Sequence, residues 1–158
     1  GGVEKEREVI SSIEGLTGKP AASAASSLLA AFRALEAKRL VFVSETPQLG
    51  HDKKLKFLEE AGLTIVSDKA MGLGGSDIYC STPPEFWFKN VMAMRNNEAD
   101  AYFISCANIH SIDVIHDLEK ELRKPVITSN QAALWRALRL AGVEDSIPAL
   151  GCLLETGL

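Results

Sequence analysis

The residue of this chain whose type and position best suit chemistry is Cys106. It follows the apolar run 101–104, which predicts a short buried strand, and it precedes a helical spacing that begins near residue 111. Open α/β sheets bind their ligands at the carboxyl ends of their strands. The N-terminus of the next helix would favour the thiolate, which is the reactive form, over the thiol. The sequence therefore offers one candidate nucleophile or proton carrier.

An inert role for the same thiol stays open from the sequence. Free cysteine is among the most buried residue types and often acts as a small apolar side chain. The carboxylate of Asp113 would oppose ionisation of the thiol if it pointed inward. His110 is close enough in sequence to be a general base, although surface or capping roles are the more usual ones for it. Spacing alone leaves Cys106 a candidate.

Composition describes an ordinary globular protein of one domain. The chain has 158 residues, of which 46% are hydrophobic and 24% charged, and its formal net charge is -4. A mildly acidic balance without a basic cluster argues against nucleic acid as a partner. No apolar run reaches the length that spans a bilayer, so no membrane partner is expected.

The three cysteines favour a reducing, cytoplasmic setting. Cys80, Cys106 and Cys152 are widely spaced and form neither a disulfide framework nor a zinc-ligand pattern. No motif in the chain implies a metal, a nucleotide or another cofactor.

The elements that must position Cys106 follow from the hydrophobic periodicity. Helices are predicted at 3–16, 24–37, 53–60, from Pro83-Pro84 onward, 111–122 and 131–140, the last capped by Asn130. Strands are predicted at 40–43, 63–66, 101–104 and 125–128. Strands that alternate with helices predict right-handed crossovers. We therefore expect an α/β fold with a doubly wound parallel sheet and helices on both faces.

Several segments of the chain resemble one known family in the same order. They are residues 100–108, 113–115, 124–131 and 134–142, preceded by 18–21, 30–35, 40–47 and 57–62. Together they look like the aspartate/glutamate/hydantoin racemase superfamily, in its branch of maleate cis-trans isomerases and arylmalonate decarboxylases. The resemblance covers almost the whole chain. Its most specific part is Ser105-Cys106 with the run 125–131.

The resemblance implies two similar α/β halves with the active site between them. Residues 1–37 would be the remainder of an incomplete first half, and residues 38–142 the second half, which carries Cys106. Residues 143–158 would be a C-terminal segment that returns to the first half. The resemblance also implies a homo-oligomer.

The chemistry implied by the resemblance is cofactor-independent cysteine catalysis on a small carboxylic acid. In the racemases one thiol removes the proton α to a carboxylate and a second thiol returns it. In the isomerases a thiolate adds to the alkene, the single bond rotates and elimination gives the trans diacid. Cys106 matches the second-half cysteine, whereas Cys80 and Cys152 match no family cysteine and are expected to be structural.

The substrate-binding residues are carried over from the same resemblance. The backbone N–H groups of Ala107 and Asn108 would face the substrate carboxylate, with Thr46, Gln48 and Ser76 as further contacts. Gln48 stands where the family often has a tyrosine, and Ser76 falls near a carboxylate-binding asparagine of the isomerases.

The leading expectation is a maleate isomerase-like enzyme. Its two-thiol chemistry needs a second cysteine, which the family pattern would place upstream of Gly1. A one-cysteine decarboxylase of arylmalonate type and an amino-acid racemase stay open as alternatives. A non-catalytic carboxylate-binding protein is the alternative of another class.

Overall fold

A four-stranded parallel sheet organises the chain in the computed structural model, which describes residues 2–157. The strands are β1 (Arg39–Ser44), β2 (Thr64–Ala70), β3 (Ala101–Ile104) and β4 (Val126–Thr128). Their order in the sheet is β2-β1-β3-β4, and every neighbouring pair is parallel. This confirms the expected α/β fold class.

Seven α-helices connect and flank the strands. They are α1 (Val3–Thr17), α2 (Ala24–Ala34), α3 (Gln48–Glu60), α4 (Ser76–Ser81), α5 (Pro84–Met92), α6 (Ile115–Leu122) and α7 (Ser129–Leu140). Short 3-10 turns lie at Ile112–Val114, Pro148–Leu150 and Cys152–Glu155. Across residues 2–157, no helix combines the length and the apolar character needed to cross a bilayer.

The sheet is buried on both faces, which explains the unbroken apolar runs of its central strands. On one face, Leu40 and Phe42 pack with Phe103 and with apolar residues of α2 and α7. On the other face, Val41 and Val43 pack with apolar residues of α5 and α6. The two tryptophans are fully buried, Trp135 in the first core and Trp87 in the second.

Two predicted helix starts differ from the structure for local reasons. The helix predicted at 53–60 begins at Gln48, because Pro47 occupies the N-cap position and opens the helix instead of separating it from the strand. The predicted capping role of Asn130 is wrong. Thr128 accepts from the backbone N–H of Gln131, whose side chain bonds back to Thr128, so these two residues form a capping box.

Other predicted boundaries differ from the observed ones by a few residues. The helix predicted at 24–37 ends at Ala34, and the one predicted at 111–122 is divided into a 3-10 turn and α6. The strand predicted at 63–66 extends to Ala70, and α4 was not predicted. The division of the chain at 37/38 and 142/143 stays a prediction.

Candidate functional site

Cys106 lies at the carboxyl end of β3 in an unusual backbone conformation. The N–H of Ser105 still donates to the carbonyl of Val43 on β1, at 2.8 Å, so the sheet pairing continues to within one residue of the thiol. Cys106 then turns the chain with a φ of 116°. Non-glycine residues rarely adopt positive φ, and such strain costs on the order of 1–3 kcal/mol. Surrounding contacts must therefore hold this turn in place.

The first turn of α7 and the loop itself provide those contacts. The backbone N–H of Cys106 donates to Ser129 Oγ at 3.2 Å, and Asn130 Nδ2 donates to the carbonyl of Ala107 at 2.8 Å. The N–H of Asn108 donates to Cys106 Sγ at 3.3 Å. It therefore points to the sulfur, and its expected contact with a substrate carboxylate stays a prediction. A donor at the sulfur stabilises the thiolate.

A buried carboxylate beside the thiol was missed by sequence reasoning. Glu45 directly follows β1, the strand next to β3, and is only 6% exposed. Both its oxygens accept from Lys54 Nζ on α3, at 2.8 and 2.7 Å. A buried charge of this kind requires a partner, and Lys54 supplies it. The available signal was a carboxylate placed two residues after the apolar run 40–43.

Burial dominates the acidity of Cys106. It raises the pKa of the thiol above the ordinary value, the Asn108 N–H lowers it, Glu45 raises it further and Lys54 lowers it, with a net increase. The following α-helix begins only at Ile115, after a 3-10 turn, so its N-terminus lies nine residues beyond the thiol along the chain. That a helix N-terminus favours the thiolate here stays a prediction.

Tyr79 adds a phenol to the same neighbourhood. It lies on α4 and is half-buried. Burial raises its pKa, and the charges of Cys106 and then Glu45 raise it further. A neutral phenol is a hydrogen-bond donor. The structure thus gathers a thiol, a carboxylate, an ammonium group and a phenol at one end of the sheet.

The other predicted binding residues are distributed unevenly around this end. Thr46 is half-buried, and its Oγ1 lies 3.2 Å from Ser44 Oγ. Gln48 is exposed, and its amide donates to Asp52 Oδ1 at 2.7 Å, within the same helix. Ser76 is exposed at the first position of α4. Of these three side chains, Thr46 is the one that adjoins the buried groups.

Ala107 and Asn108 line an open cavity of about 390 Å³ together with Cys80 and His110. Both Cys80 and His110 are exposed there, and the expected structural role of Cys80 stays a prediction. Cys152 is different, because its thiol donates to Glu119 Oε1 at 3.1 Å. Burial, followed by Glu119, raises the pKa of Cys152 to about 12, which leaves it unreactive at neutral pH.

The remaining histidines have separate roles. His116 is exposed on α6, whereas His51 is fully buried on α3 between Ser44 and Asp68. Within residues 2–157, no group of three or more His, Cys, Asp or Glu side chains could hold a metal ion.

The fold and the site together define the class of protein: an α/β protein with a parallel sheet and a half-buried thiol at the end of a strand. The particular family follows from sequence comparison: a family model described as arylmalonate decarboxylase matches residues 1–154. The chain belongs to the arylmalonate decarboxylase family.

Two curated relatives differ in their activities. The chain is 26% identical to arylmalonate decarboxylase of Bordetella bronchiseptica over 130 residues, which are 80% of this chain and 53% of that protein. It is 27% identical to maleate isomerase of Nocardia farcinica over 134 residues, which are 84% of this chain and 53% of that protein. The chain thus spans about half the length of the curated relatives it matches.

Solved structures show the same fold. Maleate isomerase Iso of Pseudomonas putida S16, in a structure with maleate, has a TM-score of 0.91 at 22% identity; the match covers 98% of this chain and 64% of that one. A mutant of the Nocardia farcinica enzyme with a covalently bound succinylcysteine intermediate has a TM-score of 0.87 at 24% identity, and the match covers 95% of this chain and 64% of that one.

Proposed function

We propose that this chain carries the Cys106 part of a cofactor-independent enzyme that acts on a small carboxylic acid, with maleate cis-trans isomerisation as the leading activity. The observation that carries the proposal is the placement of Cys106 at a strand end, with an N–H aimed at its sulfur and Glu45 beside it. Family membership supports the same class of chemistry. The succinylcysteine intermediate of the Nocardia farcinica enzyme shows that a cysteine of that relative bonds to the substrate skeleton.

The proposed reaction begins with loss of the thiol proton. Because the pKa of Cys106 is raised, most of the thiol is protonated at neutral pH, and a proton acceptor is needed. Glu45 is placed to take this proton, while the Asn108 N–H supports the thiolate.

Addition and elimination then complete the isomerisation. The thiolate forms a carbon–sulfur bond to one alkene carbon of maleate as the π electrons move to the neighbouring carbon, which takes the proton that Glu45 received from the thiol. Rotation about the resulting single bond follows. Glu45 then removes that proton again, and cleavage of the carbon–sulfur bond releases the trans diacid and restores the thiolate. Thr46 and the Ala107 N–H are the proposed contacts for the substrate carboxylates.

The test is turnover of maleate to fumarate by the full-length protein, followed by NMR. Cys106→Ala should abolish turnover and leave thermal unfolding within a few degrees of the wild type. Cys152→Ala is the matched control, because its thiol is engaged with Glu119 away from the site, and it should retain activity. Turnover by the Cys106→Ala protein would refute the proposal.

A second candidate function is decarboxylation of an arylmalonate with one cysteine. It is favoured by an apolar pocket of about 310 Å³ that Leu28, Phe57 and Phe103 line together with Ser129, the hydroxyl that holds the Cys106 backbone. Such a pocket suits an aromatic substituent. Release of carbon dioxide from phenylmalonate, lost in Cys106→Ala, would favour this activity over isomerisation.

The same turnover assays distinguish the non-catalytic alternative, a carboxylate-binding protein, from the two enzymatic functions. A binding protein would turn over neither compound, yet malonate would slow alkylation of Cys106 by iodoacetamide.

A further inference from the structure

Four side chains form a hydrogen-bonded chain that runs from Asp68, on the edge strand β2, to Thr46 beside the candidate site. Asp68 Oδ2 lies 2.8 Å from His51 Nε2, and His51 Nδ1 lies 2.7 Å from Ser44 Oγ. Ser44 Oγ in turn lies 3.2 Å from Thr46 Oγ1. The chain therefore ends at a hydroxyl that directly follows Glu45, at the carboxyl end of β1.

The burial of this chain argues against a hydrolase-like triad. Ser44 and His51 have no exposed surface, so no substrate can reach the serine oxygen. The imidazole is fixed further by stacking on Phe42, with ring centroids 4.6 Å apart. A buried and fully bonded serine–histidine pair is suited to orient a neighbouring group.

The protons in this chain can be arranged in two directions. With a neutral imidazole, Nε2–H donates to Asp68 and Nδ1 accepts from Ser44, so Ser44 can accept from Thr46. With an imidazolium, both ring nitrogens donate, and Ser44 must accept from Nδ1–H and can donate to Thr46. Only in the second arrangement can Thr46 donate into the site and keep its hydrogen bond with Ser44.

A carboxylate bound at Thr46 selects the second arrangement, with uptake of one proton from solvent by His51. A carboxylate oxygen is an acceptor, so it is repelled by a hydroxyl oxygen that presents only lone pairs and is bound by a hydroxyl that donates. The imidazolium is compensated by Asp68, the carboxylate that contacts the ring.

Three other charged side chains of the neighbouring elements have partners outside this hydrogen-bonded chain. Lys54 pairs with Glu45 and Lys69 donates to Asn90. Asp52 accepts from Gln48.

Gly50 leaves room for Thr46 against the first turn of α3. A Cβ at position 50 would lie 2.9 Å from Thr46 Cβ and 3.0 Å from its Oγ1. The absence of a side chain at Gly50 therefore allows the close approach of the helix to the hydroxyl.

We propose that His51, held by Asp68, is a positioning residue that acts through Ser44 to make the Thr46 hydroxyl a donor to the substrate carboxylate. The inference rests on the proposed function, because it assumes that a carboxylate binds at this end of the sheet. In this proposal a buried histidine sets the direction of the Thr46 hydrogen bond, without involving Cys106 or the loop that follows it.

The test is a double-mutant cycle between Asp68→Asn and Thr46→Val in the full-length protein. Affinity for malonate is measured from the protection of Cys106 against alkylation by iodoacetamide, a readout that does not require turnover. Thr46→Val should weaken malonate binding about tenfold, as expected for the loss of one hydrogen bond to a charged group. Asp68→Asn should weaken it several-fold alone and add no further loss in the Thr46→Val protein.

A control and a spectroscopic readout separate positioning from general effects. Asp117→Asn removes an exposed carboxylate on α6 and should leave malonate affinity unchanged. Nitrogen-15 NMR of the His51 ring should show both nitrogens protonated when malonate is bound.

Each outcome has one meaning. Equal losses from Asp68→Asn in both backgrounds, or a His51 ring that stays neutral with malonate bound, would overturn the inference and leave the proposed function standing. If the wild type shows neither protection by malonate nor turnover, the proposed function fails and the inference fails with it.

Discussion

Glu45 and Lys54 form an ion pair in which one ammonium group contacts both oxygens of a 94% buried carboxylate, next to the thiol of Cys106. The pair is close to neutral as a unit, yet its two charges act on Cys106 in opposite directions. The pKa of the thiol is set by burial together with these two charges. Substitution of either Glu45 or Lys54 should therefore change the reactivity of Cys106.

Glu45→Gln should make Cys106 more reactive and the proposed turnover slower. Removal of the carboxylate lowers the pKa of the thiol and leaves the charge of Lys54 to favour the thiolate, so alkylation at pH 7 should be faster. Turnover should fall, by roughly 10²-fold or more, since the proposed proton acceptor is lost.

The measurements are the iodoacetamide rate as a function of pH and the initial rate of turnover. Lys54→Met should slow alkylation, and Glu59→Gln, an exposed change on the same helix, should leave both rates unchanged. Slower alkylation in Glu45→Gln would contradict the assigned effect of the carboxylate.

Gly50→Ala should disturb the site although alanine favours helices. The new Cβ would lie 2.9 Å from Thr46 Cβ, so Thr46 or the start of α3 must shift. We expect weaker protection of Cys106 by malonate and no net stabilisation.

Gly15→Ala in α1 is the matched control, because its Cβ meets nothing within 4 Å. It should raise the free energy of unfolding by about 0.5–1 kcal/mol and leave malonate binding unchanged. Malonate affinity in Gly50→Ala equal to that of the wild type would show that Thr46 tolerates the shift.

The fold was predictable because each element has a local signal. The strand 101–104 was predicted with its observed bounds, since a buried parallel strand needs an unbroken apolar run. The helix that begins at Pro84 was predicted because proline suits a first turn. The predicted helix 53–60 is shorter than α3 because Pro47 resembles a break when the sequence is considered without its tertiary context.

The site was only partly predictable, because its partners meet through strand register. Cys106 was found from its own segment, but Glu45 adjoins it only because β1 pairs with β3. Likewise, Asp68 meets His51 only because β2 lies beside β1. A sequence without an assigned register contains no information about these pairings.

Asp100→Asn should destabilise the protein at neutral pH but not in acid. Hydrogen bonds from the Arg39 side chain and backbone, and from the Lys38 N–H, hold the pKa of Asp100 well below its usual range. A lowered folded-state pKa stabilises the fold above the unfolded pKa, near 4, and that contribution is lost as pH falls further.

For this partly exposed pair we expect a loss of about 1 kcal/mol at pH 7. Urea unfolding of the wild type and Asp100→Asn at pH 7 and at low pH measures it. A difference that persists unchanged in strong acid would show that charge does not carry the effect.

Cys152 should make the protein sensitive to alkali. Burial and then Glu119 raise the pKa of this thiol from 9.0 to about 12 in the folded state. A raised folded-state pKa gives stability that is complete below the unfolded value and is lost as pH rises through the interval between the two values. The free energy of unfolding should therefore fall by up to about 1.4 kcal/mol per pH unit above pH 9.

Urea unfolding between pH 8 and pH 11 should show this slope in the wild type and in Cys80→Ala, whose thiol is exposed. Cys152→Ala should begin less stable, because it loses the bond to Glu119, and should show a shallower decline. Parallel slopes for Cys152→Ala and the wild type would mean that other groups govern the alkaline limit.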